Sequence, residues 1–145
     1  KLDIDSITVM VQKEVAIRLA SNQNSSDNGA ITYAINYYTN PNIVLNVPKE
    51  SFIPMPEVES SVIKLEVLKV PRVEVKSEEL LFKVIKLSFM QKRKTLVNSL
   101  TNGNLLNSKE EIENMLISLN IDLKIRPEKL SLEEFANIAD YVYNM

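Results

Sequence analysis

The sequence predicts an α/β part to about residue 70, followed by a small all-α part. Three observations give this division. Apolar residues alternate with polar ones in 5–12 (DSITVMVQ) and 61–70 (SVIKLEVLKV), as in half-buried strands. From Ser77 onward the apolar spacing becomes helical, and serine-led helix starts recur at Ser77, Ser108 and Ser131. No cysteine, histidine or long apolar run suggests any other class of protein.

The elements follow in order. Ile7, Val9 and Val11 oppose Ser6, Thr8 and Met10 in a first strand, and KEVAIRLAS (13–21) reads as a short helix. SNQNSSDNG (21–29) is polar turn chemistry and predicts an exposed loop. AITYAINYYT (30–39) reads as a helix whose tyrosines seal a core edge, Asn40-Pro41-Asn42 as a turn, and 43–47 as a strand. In the clearest strand Ile63, Leu65 and Val67 face one way, Lys64 and Glu66 the other, and Pro71 ends it. Beyond Ser77 the glutamates at 78 and 79 suit the positive end of a helix dipole. Ser108 with Glu111, and Ser131 with Glu134, have capping-box spacing. Apolar stripes follow each box: Ile112, Met115, Leu116 and Leu119, then Leu132, Phe135, Ile138, Ala139 and Val142. Asn102-Gly103 should stop the preceding helical stretch.

A doubly wound sheet needs five or more strands, and the first part offers three candidates. They look like one side of such a sheet, and the chain starts at Lys1 rather than methionine. Both features predict a piece whose beginning lies elsewhere.

Composition excludes several chemistries. With no cysteine or histidine among 145 residues there is no thiolate site, a zinc site is not expected, and histidine cannot serve as acid or base. The two glycines, Gly29 and Gly103, lie too far apart for a phosphate-cradling loop. No run approaches the roughly 20 apolar residues of a membrane span, and the first ten residues lack a signal-type core. A cytoplasmic location is the expectation. The net charge of −2 argues against a chain that coats nucleic acid throughout, but not against a local basic patch. Between Leu80 and Ser108 there is no acidic residue, whereas Lys83, Lys86, Lys92, Arg93 and Lys94 all lie there.

On one unbroken helix from 77 to 100, Lys83, Lys86, Arg93 and Lys94 would share a face opposite Leu81, Ile85, Phe89 and Leu96. Lys92 would then point toward the apolar side unless the helix breaks near Gln91. Such a stripe can grip phosphates, arginine as a bidentate fork and lysines as point charges, or it can be a solvated helix face. SFIPMPEV (51–58) is the second candidate. Pro54 and Pro56 fix φ and push Ile53 and Met55 toward extended backbone, so Phe52 sits on a stiff segment. A ring held there suits stacking on a base, or packing at a strand entrance. Asn46-Val47-Pro48-Lys49 resembles the amine-holding loop of amino-methyltransferases but has lysine where the aromatic belongs, and reads as a strand end.

MVQKEVAIRLAS, SFIPMPEVESSVIKL, SFMQKRKTLVNSL and IRPEKLSLEEF occur in this order and at suitable spacing. Together they resemble the later part of KsgA-type small-subunit ribosomal RNA adenine dimethyltransferases, over nearly the whole chain. The F-x-P-x-P-x-V-x-S block is shared with erythromycin-resistance methyltransferases, while QKRKT and RPEKLS match the ribosome-assembly branch. The resemblance implies residues 1–71 as the C-terminal part of a Rossmann-like methyltransferase domain and 72–145 as a helical RNA-engaging domain. It implies transfer of methyl groups from S-adenosylmethionine to N6 of two adjacent adenines in small-subunit ribosomal RNA, within a 30S-type assembly intermediate. Phe52 then corresponds to the aromatic facing the target adenine, and Lys92, Arg93 and Lys94 to RNA contacts, with Lys92 standing where the family usually has arginine. Lys83 and Lys86 join them as candidate RNA contacts. Gln12, Lys13 and Glu14 are expected to support the catalytic sheet. The family's donor-binding glycine loop, acidic ribose-binding residue and Asn-Leu-Pro-Tyr-type loop lie upstream of the matching region. The chain alone is therefore expected to bind no donor and to be inactive. A non-catalytic RNA- or ribosome-binding module, and a large-subunit resistance enzyme, are the alternatives.

Overall fold

The computed structural model describes residues 3–21 and 25–145. The chain forms two compact units: a first that runs to Arg72, and a second, Val73–Met145, that also takes in the segment ending at Ala30.

The first unit contains a three-stranded sheet of order β1-β3-β2, with β1 at Ser6–Gln12, β2 at Thr39–Val47 and β3 at Ser60–Val67. β3 lies in the middle and runs antiparallel to both neighbours. Its alternation explains that place. Ile63 and Leu65 are buried and meet Leu19, with Val11, Val15, Ala20 and Ile35 packed around them. Burying one such side chain contributes about 1.5–3 kcal/mol. Leu19 comes from α1, Lys13–Leu19, and Ile35 from α2, Ala30–Tyr38. Tyr33 and Tyr37 lie in the core, while Tyr38 is exposed.

Three expectations need correction here. The predicted turn at Asn40-Pro41-Asn42 is strand: β2 runs through it, with Pro41 opposite Leu65. Leu68 N donates to Tyr38 O, so up to the register shift between Ile43 and Leu45 the even residues of β2 face β3, and the nitrogen of Pro41 faces the outer edge. An edge strand tolerates proline because that donor has no ladder partner to lose. β3 ends at Val67, before Pro71. In the predicted exposed loop, residues 22–24 lie outside the described residues, and Asn28 is buried, its side-chain amide donating to Glu128 O at 3.3 Å.

The second unit contains α3 (Glu78–Phe89), α4 (Leu96–Asn102), α5 (Lys109–Ser118) and α6 (Leu132–Tyr143), with no strand among its described residues. α3 packs on α4 and α6, and α5 on α4 and α6. Leu81, Ile85, Leu100, Met115, Phe135 and Ile138 are among its fully buried side chains. The helix starts follow the serines. Ser77 Oγ accepts from Leu80 N, and Ser131 and Glu134 form a complete capping box. At Ser108 the box is half made: Glu111 N donates to its hydroxyl, but the Glu111 carboxylate takes the N–H of Asn107 instead. Gly103 caps α4 with φ −80°, so its role is space rather than a left-handed turn. A Cβ there would lie 2.8 Å from Leu87 Cδ2 and 3.2 Å from Leu87 Cβ.

Candidate functional site

Phe52 follows β2 through a 3-10 turn at Lys49–Ser51, in which Ser51 N donates to Pro48 O and Phe52 N to Lys49 O. Its backbone is extended (φ −117°, ψ 148°) and its side chain is half-buried, outside the buried core. Ile53–Pro54 is a cis peptide. The side chains beyond the ring project into water: Ile53 is 101% exposed, Met55 59% and Val58 44%. The far end of the segment is fixed by Lys13. Its backbone N donates to Glu59 O at 3.0 Å, and its ammonium meets the Glu59 carboxylate at 3.0 Å. A small cavity of about 230 Å³ lined by Gln12, Lys13, Glu14, Val58 and Glu59 lies at this junction. The segment is therefore held at both ends while most of its apolar side chains face outward. Asn46 lies within β2, its amide oxygen accepting from Ser61 Oγ at 2.7 Å.

The basic residues do not share one helical face. α3 stops at Phe89, and Arg93 adopts φ 68°, a left-handed conformation that no helix continues through. The chain restarts as α4 behind Thr95, whose hydroxyl accepts from Asn98 N. Lys92, Arg93 and Lys94 instead lie together on the turn between the helices, all three exposed. The break also relieves Lys92 of facing the apolar side. Asn102 Nδ2 donates to Gln91 Oε1 at 2.8 Å, and Leu96 N donates to Ile125 O at 2.8 Å, so both ends of the turn are tied down. Lys83 and Lys86 are exposed on α3 and line one open groove of about 480 Å³ with Ser77, Glu79, Leu80 and Phe82.

Sequence reasoning missed Arg72. Its guanidinium donates to Asn36 O at 2.7 Å, Thr39 O at 2.8 Å and Asn40 Oδ1, where α2 passes into β2. Its backbone N donates to Tyr37 O. Only the lone arginine directly after Pro71 could have hinted at this.

Among the described residues there is no glycine-rich strand-to-helix turn of the kind that seats a nucleotide-type methyl donor. The strand-to-helix turn from Gln12 to Lys13 carries a glutamine and a lysine side chain and no glycine, so it lacks the bare backbone of a glycine loop. Gly29 follows a loop and Gly103 ends a helix, neither at a strand-to-helix turn. Among the described residues no His/Cys/Asp/Glu group could hold a metal ion, and no helix is long and apolar enough to cross a membrane.

The family model described as "Ribosomal RNA adenine dimethylase" matches residues 1–144. A ribosomal RNA small subunit methyltransferase A from Alkaliphilus metalliredigens is 44% identical over 142 residues, covering 98% of this chain and 50% of its own length. The protein of that name from Clostridium botulinum is 46% identical over 145 residues, covering 100% of this chain and 52% of its own. The chain thus spans about half the length of these relatives. Among solved structures, a dimethyladenosine transferase from Plasmodium falciparum superposes with a TM-score of 0.69 at 22% identity, over 92% of this chain and 55% of that one. The 23S rRNA methyltransferase ErmE gives 0.62 at 18% identity, over 96% and 55%. These two likenesses establish the fold alone.

Proposed function

The chain belongs to the ribosomal RNA adenine dimethylase family, and from that premise we propose that it is the C-terminal portion of an S-adenosylmethionine-dependent small-subunit ribosomal RNA adenine dimethyltransferase. In this reading residues 1–71 close the Rossmann-like catalytic sheet and residues 72–145 engage the RNA. The ring of Phe52 forms one wall of the pocket for the target adenine. Lys83, Lys86, Lys92, Arg93 and Lys94 hold RNA phosphates of a small-subunit assembly intermediate in the cytoplasm. S-adenosylmethionine, when bound by a complete enzyme, supplies the methyl group; none of the residues here is assigned to hold it.

The observation that carries this reading is the placement of Phe52. Its ring is half-buried on a segment anchored by a 3-10 turn on one side and by Lys13–Glu59 on the other. A ring fixed in this way gives up little freedom when a base stacks on it, and stacking of this kind contributes about 1–3 kcal/mol per base. The exposed turn at 92–94 offers three adjacent cations, which suits phosphate contacts.

A chimera tests the reading. This chain replaces the matching half of the Clostridium botulinum relative, and small-subunit RNA methylation is measured in cells lacking their own enzyme. Dimethylated adenines support the proposal. A chimera that folds and binds donor but leaves the adenines unmodified contradicts it.

A further inference from the structure

Both glycines of the chain directly follow an asparagine, in Asn28-Gly29 and Asn102-Gly103. An asparagine in such a pair is open to attack by its own backbone, because glycine has no Cβ to shield its nitrogen or to restrict rotation. The glycine nitrogen attacks the asparagine Cγ. The N–Cγ bond forms and the Cγ–Nδ2 bond breaks, and the amide leaves as ammonia with the proton of the glycine nitrogen. Water then opens the cyclic imide at either carbonyl, which yields aspartate or isoaspartate. Closure requires the glycine nitrogen to swing against the side chain, so the fold decides which pair reacts.

Exposure alone favours Asn102, which faces water, over Asn28, which is 9% exposed. Backbone geometry reverses that order. Asn102 is the last residue of α4, and Gly103 N donates to Ser99 O at 3.0 Å, so a helical ladder holds the attacking nitrogen. The Asn102 amide is engaged with Gln91, and Leu87 fills the space beside Gly103. Asn28 lies instead on irregular backbone between a turn and α2. A Cβ added at Gly29 would meet no described atom within 4 Å, so the peptide there has room to rotate.

We propose that Asn28-Gly29 is a deamidation site of this chain, and that the reaction irreversibly releases the segment 25–30 from the turn at 127–129, while Asn102-Gly103 is spared. In the docked state Asn28 Nδ2 donates to Glu128 O at 3.3 Å, within a stretch whose Pro127 and Leu130 are buried. An amide held in this way is kept from Gly29 N, so ring closure waits for a local opening of the segment. Deamidation then replaces the Nδ2 donor with a carboxylate oxygen. That oxygen cannot donate to a carbonyl, and it would carry charge into a buried position. Isoaspartate also lengthens the backbone by one carbon just ahead of α2. In either product the segment cannot return to its place, and a reversible opening becomes a permanent one.

Timed incubation of the 145-residue chain in mildly alkaline buffer, followed by peptide mass mapping, tests this. In the folded chain Asn28 should convert and Asn102 should not, whereas in denaturant the two should convert at similar rates. Gly29→Ala should slow conversion at Asn28. Gly29 has no positive φ and its added Cβ meets open space, so this variant should keep the fold. Asn28→Asp sets one product in place from the start. It should lower the hydrogen-exchange protection of the Lys129 and Leu130 amides, which bond to Arg126 O and Pro127 O, by about tenfold or more. The Phe135 amide in α6 should keep its protection. Four outcomes overturn the proposal. They are Asn102 converting in the folded chain as fast as Asn28, Asn28 intact there after the denatured chain has reacted, Gly29→Ala converting at the original rate, or Lys129 and Leu130 as protected in Asn28→Asp as before.

Discussion

Lys13 holds Glu59 twice, by a backbone hydrogen bond of 3.0 Å and by an ion pair of 3.0 Å between their side chains. The contact ties the junction of β1 and α1 to the residue that enters β3. It fixes the far end of the segment that begins at Phe52. Both side chains are nearly half exposed, so the ion pair itself contributes little, about 0–1 kcal/mol. The backbone bond and the strand pairing that continues from it give the segment its rigidity. The relationship is one of placement more than of stability.

Arg93 is held at φ 68°, which costs an ordinary residue about 1–2 kcal/mol. Asparagine tolerates that conformation better. Arg93→Asn should therefore stabilise the chain modestly, by up to about 1 kcal/mol, and weaken binding to small-subunit RNA. In rising salt the slope of log affinity should fall by about one. Thermal unfolding and a salt series on the same two proteins check both halves. Unchanged RNA affinity would remove Arg93 from the contact set.

Gly103→Ala should destabilise the second unit. The backbone at φ −80° accepts alanine, so the cost comes from the new Cβ against Leu87, 2.8 Å from its Cδ2. Overpacking of this kind costs about 1–3 kcal/mol. Leu87→Ala in the same chain should recover part of that loss, because it removes the obstructing atoms. A fall in midpoint with Gly103→Ala that Leu87→Ala leaves wholly uncorrected would place the cause elsewhere.

Arg72→Ala should lower stability by about 1–2 kcal/mol, since it leaves carbonyls at the end of α2 without their donors. Arg72→Lys should recover only part of this, because one ammonium cannot reproduce the planar fork that reaches Asn36, Thr39 and Asn40. Denaturant melts of the three proteins give the comparison. Full rescue by lysine would show that charge alone matters.

Titrating S-adenosylmethionine into the 145-residue chain should give no saturable heat at micromolar concentrations. The chain's two glycines, Gly29 and Gly103, lie too far apart to form a donor-binding loop. Micromolar binding would require a seat that none of the named residues supplies.

Local chemistry made much of the fold legible. Period-two alternation marked β1 and β3, and serines at 77, 108 and 131 marked three helix starts, because caps are short-range interactions. What escaped depended on partners distant in sequence. Pro41 reads as a turn until β2 is known to be an edge strand. The break before Arg93 carries no proline or glycine, since arginine itself takes the left-handed conformation there. The loop residue Asn28 is buried because of Glu128, a hundred residues away. For the candidate site, the residue types were visible at once in SFIPMPEV and QKRKT. Their geometry was not, because helical periodicity puts Arg93 and Lys94 on a face with Lys83 and Lys86, whereas the chain gathers 92–94 on a turn.

The most direct measurement is made on Phe52→Ala in the chimera with the Clostridium botulinum half. Methylation of the small-subunit adenines and thermal stability are measured side by side, with Phe52→Tyr as the variant that keeps a ring. If Phe52 stacks on the target adenine, alanine should lower the methylation rate by about 5- to 150-fold, the equivalent of 1–3 kcal/mol. It should cost stability much less than the 3–5 kcal/mol of a fully buried phenylalanine, and tyrosine should retain most activity. Equal losses of rate and stability, or full methylation by the alanine variant, would contradict the assignment.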